Sequence, residues 1–292
     1  MAQYMRSIAN NRGRPGKSNA DVLTIVRFVL RRIGQDNVSA LAAAVAFYAL
    51  LCLFPALTAV VSLYGLFTDP NMVERQVAAM EGILPAEAIK LVATWLQALL
   101  EGPPSRFGAG LFVSVVLALG SAWSATGTLM TAVNICYGEE EKRGVIWFNI
   151  EALMLSAGLA IFGVAAIGLI AVLPAALEFL PVPDALHSVI TLLRWPVLAG
   201  LAILALAIVY RYAPARTQPR LQFVSWGAVI ATVLWIAGSI AFTGYVSTIG
   251  SYDKTYGSLG AVIVLTLWFY LTAYVILIGA ELNAELERLG RG

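Results

Sequence analysis

Six long apolar runs, nearly free of charge, decide what this chain can fold into. Each run is long enough to cross the hydrocarbon core of a bilayer as a helix, which takes roughly 20 residues. Within lipid every backbone amide needs an internal partner, and none of the runs alternates as a barrel strand would. The sequence therefore predicts an all-α, polytopic membrane protein with six transmembrane helices. The predicted spans are about residues 39–67, 107–134, 151–174, 189–210, 222–246 and 257–280.

The composition supports a membrane protein and excludes a soluble one. Hydrophobic residues make up 60% of the 292-residue chain and charged residues only 12%, whereas a soluble domain carries about 25% charged residues. A soluble fold of this length could not bury so much apolar surface. We therefore expect the spans and their connections to form a single transmembrane domain over residues 39–285.

The distribution of basic residues predicts the orientation of the chain. Fourteen of the 19 lysine and arginine residues lie before span one, between spans two and three, between spans four and five, or after span six. Because loops rich in Lys and Arg stay in the cytoplasm, both termini are expected to be cytoplasmic. Residues 1–20 are polar and are predicted to form a disordered tail, and residues 286–292 a second, short tail.

Two segments outside the spans have the pattern of surface helices. Residues 21–35 interleave apolar side chains with Arg27, Arg31 and Arg32 at helical spacing, which predicts an amphipathic helix on an anionic inner membrane surface. Residues 68–106 contain another amphipathic pattern and are predicted to form an outer helical loop, which lies on the outer membrane surface or caps the bundle. The predicted partners of these segments are membrane lipids, with anionic lipids favoured by the basic helix.

The residue types that common catalytic sites need are scarce. The chain has one histidine, His187, and two cysteines, Cys52 and Cys136, which fall in or next to apolar runs. These residues cannot form a zinc site of the usual composition or a Ser-His-Asp triad. The stretch GRPGKS lacks the first glycine of a phosphate-binding loop and follows no strand. The sequence thus predicts no cofactor, no metal, no nucleic-acid partner and no enzymatic activity.

Small and polar residues within the first two spans allow two interpretations. Gly120, Ser124 and Gly127 recur at three- and four-residue spacing in span two. This pattern is typical of a close-packing helix face, but it could also line a polar pathway. Pro55 is expected to kink span one by removing an amide donor and could expose a carbonyl to a substrate. Tyr48, two turns earlier, is a further substrate candidate.

Charged and amide side chains gather where the spans are predicted to reach the cytoplasm. The candidates for substrate binding or gating are Asn134, Arg143, Arg211, Glu281 and Asn283. A carboxylate such as Glu281 is costly at the end of a span unless it has a partner or reaches water. Two interpretations remain open: Glu281 pairs with Arg143 or Arg211, or it is an ordinary interfacial charge.

The segment SYDKTYGSLG, residues 251–260, contains an acid, a base and several hydroxyls at the predicted outer end of span six. Its Ser, Thr and Asp residues suit a turn with a helix N-cap, and Gly257 and Gly260 would permit close backbone approach. Alternatively, Asp253, Lys254 and Tyr256 could bind an anion or a lipid headgroup at the helix N-terminus. Both interpretations remain open.

A family resemblance is carried by several stretches of the sequence. The BrkB/YihY-like bacterial inner-membrane proteins have a closing signature similar to TYGSLGAVIVLTLWFYLTAYVILIGAELNAELER, and further matches are ALAAAVAFYALLCLFPAL, TAVNICYGEEEKR and YRYAP. The resemblance implies a six-helix bundle in the bacterial inner (plasma) membrane. It also implies links to virulence, transport of envelope lipids, and an old ribonuclease label that the scarcity of catalytic residues argues against.

These observations favour a transporter or lipid-translocating protein of the bacterial envelope. The alternative is a non-transporting membrane scaffold or assembly factor that acts as a homo-oligomer or with an envelope protein, and a membrane enzyme is a third hypothesis. A transporter is expected to have a groove between spans one, two and six, lined by Tyr48, Asn134, Tyr256 and Glu281. A scaffold is expected to have a solidly packed core.

Overall fold

Long helices make up the described part of the molecule. The computed structural model describes residues 22–67, 106–173, 184–216, 225–248 and 258–289. These ranges contain seven α-helices: α1 (Val22–Gln35), α2 (Val38–Phe67), α3 (Arg106–Tyr137), α4 (Val145–Ile167), α5 (Asp184–Tyr212), α6 (Trp226–Thr248) and α7 (Ser258–Leu289). A π-helical turn, Gly168–Val172, continues α4. The predicted all-α class is confirmed.

Six of the helices, α2 to α7, are long and apolar enough to span a bilayer, which confirms the predicted number of spans. Several boundaries differ from the prediction, and two of them bear on the polar residues. Helix α4 begins at Val145 rather than near residue 151, and α7 extends to Leu289, well beyond residue 280. The predicted sixth span ended at Ala280, directly before Glu281. Helix α7 continues through Glu281 and Glu285 because both side chains are buried against neighbouring elements.

The six long helices form a ring in chain order. Each helix packs against the next one along the chain, and α7 closes the ring by packing against α2. The contact between α2 and α3 is the most extensive of these. Helix α7 also reaches α3 and α1, and a larger share of it is buried than of any other span. It is therefore the central packing element of the bundle.

The outer surface of the bundle is apolar, as expected for a protein surrounded by lipid. Large hydrophobic side chains point outward along the helices, with exposed fractions of 73% for Phe112, 73% for Leu192 and 71% for Ile240. In water such a surface would drive association. In a bilayer the same side chains contact acyl chains, so they do not have to be buried in the protein.

The buried core lies mainly toward one end of the bundle, which we call the polar end. It is the end where α2, α4 and α6 begin and where α3, α5 and α7 end. Apolar residues with almost no exposure form its packing, among them Val38, Val133, Cys136 and Leu277. The charge asymmetry of the sequence predicts that the polar end faces the cytoplasm.

Two glycines let α5, α6 and α7 meet closely at the polar end. A Cβ atom at Gly279 would lie 2.8 Å from the carbonyl oxygen of Gly227 and 2.8 Å from Ala231 Cβ. A Cβ atom at Gly227 would lie 2.5 Å from Asn283 Oδ1. Side chains at either position would push the helices apart, so the absence of a Cβ permits this packing, as is common between membrane helices.

The first helix, α1, occupies the predicted amphipathic segment and packs along the last part of α7. It joins α2 through a tight turn in which Asn37 has a φ of +51°, a left-handed conformation that Asn adopts more readily than most residues. Its burial against the bundle is centred on Val29, which is 8% exposed. The predicted tail at 1–20 and outer loop up to residue 105 lie outside the described residues.

Candidate functional site

Four buried polar residues concentrate at the polar end of the bundle. Asn134, Glu281, Asn283 and Glu285 are between 2% and 8% exposed. The other buried polar residues among those described are threonines. Polar and ionisable groups inside a membrane protein are costly and are usually either paired or functional. The polar end is therefore the candidate functional site, and the partner of each side chain decides its role.

Asn134 fixes the end of α3 to the segment that follows α5. Its Nδ2 donates to Glu141 Oε2 at 2.8 Å, and its Oδ1 accepts from the backbone amide of Ala215 at 2.7 Å. The chain reverses just after Asn134 because Gly138 adopts a φ of +66° and closes the helix with a backbone hydrogen bond to Ile135. This turn places the acidic segment beside Asn134.

Arg143 is the centre of an ion-pair cluster at the start of α4. Its Nε and Nη2 donate to the two oxygens of Glu141 at 2.8 and 2.7 Å, and Nη1 contacts Glu151. Nη2 also donates to the carbonyl of Ala213 at 2.9 Å, which ties the cluster to α5. The hydrogen bonds from Arg143 hold the pKa of the Glu141 carboxyl below its usual value. The site therefore contains a bound guanidinium with two carboxylates.

Arg216 forms a second cluster, which the sequence did not predict. Its Nη1 lies 2.6 Å from both oxygens of Glu287, and its Nη2 donates to the carbonyl of Tyr210 at 2.6 Å. The guanidinium lies over the Tyr137 ring, 4.2 Å from its centroid. Its side chain is only 7% exposed. Arg216 thus connects the ends of α3, α5 and α7, and its pairing across 71 residues left no local signal in the sequence.

Asn283 binds the first turn of α6. Its Oδ1 accepts from the backbone amide of Gly227 at 2.8 Å, and its Nδ2 donates to Ser225 Oγ at 2.8 Å. Ser225 Oγ in turn accepts from the Ala228 amide at 3.3 Å. The first amides of a helix have no partner within it. Asn283 therefore completes the N-cap of α6 from the neighbouring helix, and its role is to position α6 against α7.

Glu281 differs from Asn134 and Asn283 because none of the described residues donates a hydrogen bond to it. It is 2% exposed, and neither carboxylate oxygen has a hydrogen-bond partner among the described residues. The sequence offered Arg143 or Arg211 as its partner, but neither donates a hydrogen bond to it, and the Arg143 guanidinium is held by two other carboxylates. The groups that act on Glu281 most strongly are Asp36, Arg32 and Cys136. The sequence did not predict that Asp36, directly after α1, interacts with Glu281, because Asp36 lies outside every predicted span.

Three further candidates from the sequence lie elsewhere or contact other groups. Arg211 stacks over the Tyr212 ring, with 5.5 Å to the centroid. Tyr48 is 37% exposed and packs edge-on against Phe47. It is ten residues from the start of α2, or about 15 Å along the axis. Pro55 lies within α2, which continues through it, so the helix accommodates the missing amide donor.

The small-residue pattern of span two contributes less to packing than its spacing suggests. A Cβ atom at Gly120 would meet nothing within 4 Å, whereas one at Gly127 would touch the Phe148 ring at 3.4 Å. The hydroxyl of Ser124 donates to the carbonyl of Gly120 within its own helix. A different pair joins α3 to α4, since Ser156 Oγ lies 2.6 Å from Thr126 Oγ1.

The remaining candidates from the sequence come from the segment at the start of span six. Asp253, Lys254, Tyr256 and Gly257 lie outside the described residues, and Gly260 is buried near the start of α7. The predicted groove between spans one, two and six stays a prediction. Within the described ranges, no three His, Cys, Asp or Glu side chains come together in a way that could hold a metal ion.

Comparisons with known proteins agree with this architecture. The family model described as virulence factor BrkB matches residues 29–291. A ribonuclease-like protein, YfkH, of Bacillus subtilis (strain 168) is 32% identical over 84% of this chain and 89% of its own length. The UPF0761 membrane protein VV0203 of Vibrio vulnificus (strain YJ016) is 26% identical over 93% of this chain and 85% of its own length.

A third relative is longer than the present chain. The UPF0761 membrane protein of Chromobacterium violaceum is 25% identical over 89% of this chain, but the match spans only 61% of that protein. No solved structure matches the chain. The six apolar helices, the buried polar end and the match over residues 29–291 lead to one conclusion: the chain belongs to the BrkB family of multi-pass membrane proteins.

Proposed function

We propose that the protein is a transporter of the bacterial inner membrane that moves an anionic lipid, and that its polar end is the cytoplasmic gate. The observation that carries the proposal is Glu281, an acid that is buried and without a hydrogen-bond donor among the described residues. A residue that served only to hold helices together would be expected to have a partner. Ionisable residues within membrane spans are rare, and they commonly mark substrate, ion or proton pathways.

The ion-pair clusters support a gate at the same end. Arg143 connects the start of α4 to the segment after α5, and Arg216 connects that segment to α7 through Glu287. Contacts of this kind can separate once water reaches the polar end, because water then solvates the separated charges. Opening the gate requires the ends of α3, α5 and α7 to separate, and these clusters hold them together.

The surface near the polar end favours an anionic lipid as substrate. Helix α1 exposes Leu23, Val26 and Leu30 beside the exposed Arg27 and Arg31. Such a helix can lie on the membrane with its apolar side chains among the acyl chains and its guanidinium groups near anionic headgroups. It would raise the local concentration of anionic lipid next to the gate.

A flux measurement tests this function. The purified protein is reconstituted into liposomes containing a fluorescent phosphatidylglycerol, and quenching of the outer leaflet reports exchange between leaflets. Wild type should exceed protein-free liposomes, and Glu281→Gln should reduce the added rate at least tenfold. Lys142→Gln, which removes an exposed charge beside Arg143, should leave the rate unchanged. A wild-type rate equal to that of protein-free liposomes, for phosphatidylglycerol and for a zwitterionic lipid, would reject lipid transport.

A scaffold is the second candidate function, and one observation favours it. Asn134, Arg143, Arg216 and Asn283 all have hydrogen-bond partners. A network satisfied to this degree stiffens a structure, as an assembly factor would require. Such a protein would show no flux, and its Glu281→Gln variant would behave as wild type in reconstituted vesicles.

A further inference from the structure

Glu281 lies where α7 meets α1 and α3, in a position that is unfavourable for an ionised carboxylate. The side chain is almost completely buried, and both oxygens lack a donor among the described residues. Burial of a charged carboxylate without hydrogen bonds is strongly unfavourable even after the surroundings relax. A carboxyl group in this environment favours its neutral, protonated form.

The groups around Glu281 make this conclusion stronger. From α1 and the turn after it come Arg32 and Asp36, and from α3 comes the Cys136 thiol. Helix α7 itself contributes Glu285 and Arg288, which are bridged at 3.8 Å. On α5, the hydroxyl of Tyr210 donates a hydrogen bond to the carbonyl of Ile276. Helices α2 and α6 carry no charged residue.

The cation of α1 that acts on Glu281 forms an ion pair with another acid. Arg32 Nη1 lies 3.3 Å from Asp36 Oδ2, so the Asp36 carboxylate is the member of the pair that has a counter-ion. Two interacting carboxyl groups resist ionising together because of the repulsion between like charges. A proton on Glu281 would remove that repulsion, and its O–H could donate to the Asp36 carboxylate.

We propose that Glu281 is a proton-binding site in which the bound proton is donated to the carboxylate of Asp36. The proton supplies the hydrogen bond that Glu281 lacks, and it joins the end of α1 to α7. Its release leaves two carboxylates facing each other, so that α1 separates from α7. The inference holds whether or not the protein moves lipid, and it adds a proton as a ligand of the polar end.

Infrared difference spectroscopy of the full-length protein in lipid nanodiscs tests the site. A protonated carboxyl has a C=O stretching band that is distinct from the bands of a carboxylate. Wild type should show such a band at neutral pH, and Glu281→Gln should lose it. Asp36→Asn should shift the band without removing it, because the acceptor changes. Glu287→Gln is the matched control, and it should leave the band intact because Glu287 is paired with Arg216.

Thermal unfolding separates the proposed role from a purely structural one. Glutamine resembles a protonated glutamate, so Glu281→Gln should unfold within a degree or so of wild type at neutral pH. A wild type without a protonated-carboxyl band, or a band unaffected by Glu281→Gln, would overturn the proposal. If that variant does not fold, Asp36→Asn decides, since an unshifted band there also contradicts the proposed hydrogen bond.

Discussion

At the residue scale, Gly279 is tightly packed and Gly120 has open space around it, so the two glycines form a matched pair for substitution. Gly279→Ala should lower the Tm by several degrees, because the new methyl group would overlap the Gly227 carbonyl and the Tyr210 hydroxyl. Overpacking of this kind typically costs about 1–3 kcal/mol. Gly120→Ala has open space and should be neutral or stabilising by about 0.5–1 kcal/mol. Tryptophan fluorescence during heating measures both.

The difference in Tm between these two variants measures the effect of packing alone. Both remove a glycine from a helix interior and add the same methyl group, so differences in helix propensity cancel. Equal Tm values for Gly279→Ala and Gly120→Ala would show that α6 and α7 do not approach each other as closely as the structure indicates.

Also at the residue scale, the Glu141 carboxyl gives stability a defined pH dependence. Hydrogen bonds from Arg143 lower its pKa in the folded state, so its ionised form favours folding. This contribution is complete above the ordinary unfolded pKa, about 4.3, and is lost as the pH falls through the lower folded value. Glu141→Gln should therefore reduce the Tm at neutral pH and have less effect as the pH falls below about 4.

The neighbouring acid provides the control for this pH dependence. Glu140 is exposed next to Glu141, and Glu140→Gln should give the wild-type Tm across the same pH series. If the difference between Glu141→Gln and wild type did not change with pH, the Arg143–Glu141 pair would not contribute through its charge.

At the scale of the element, α1 should make the protein sensitive to anionic lipid. Arg27 and Arg31 are exposed beside an exposed apolar side, and each basic residue near an anionic surface contributes about 1 kcal/mol. The double variant Arg27→Gln, Arg31→Gln should lose most of the Tm increase that phosphatidylglycerol produces in wild type. Its Tm in a purely zwitterionic lipid should match wild type. An unchanged response to phosphatidylglycerol would place the lipid contact elsewhere.

The helices illustrate how far the sequence could predict the elements. Apolar length alone located α2 to α7, because a span needs a fixed number of residues that can face lipid. Helix α7 is longer than the predicted sixth span, since burial by neighbours lets Glu281 and Glu285 remain helical and inside. Such burial depends on tertiary packing, which the local pattern does not contain.

The partners of the site residues were harder to predict than their positions. Asn134, Arg143, Glu281 and Asn283 were all recognised as candidates from their place at the ends of apolar runs. The hydrogen bonds of Asn134, Arg143 and Asn283 either stay local, as between Arg143 and Glu141, or join residues far apart in the chain, and Glu281 has none among the described residues. Both kinds of hydrogen bond depend on which helix ends meet in the folded protein. The sequence does not show this, so it did not predict the pairing of Arg216 with Glu287.

At the scale of the whole molecule, six helices form a ring whose polar end is closed by polar contacts. The ring order follows the chain, and α7 packs against both α2 and α3. A transporter of this design must open the polar end during its cycle, which requires the buried residues there to meet water. A scaffold must keep them buried. The difference is a measurable exposure of the core at that end.

The accessibility of Cys136 measures this opening most directly. The chain has two cysteines, so Cys52→Ser leaves Cys136, which is fully buried at the polar end, as the reporter. A membrane-impermeant maleimide is applied from the side of the polar end. The variant Cys52→Ser, Cys136→Ser, Lys142→Cys, whose only cysteine is exposed, gives the unhindered labelling rate. We expect slow labelling of Cys136 in zwitterionic liposomes and at least tenfold faster labelling with phosphatidylglycerol. Complete protection of Cys136 while phosphatidylglycerol is being exchanged between leaflets would contradict a gate at the polar end.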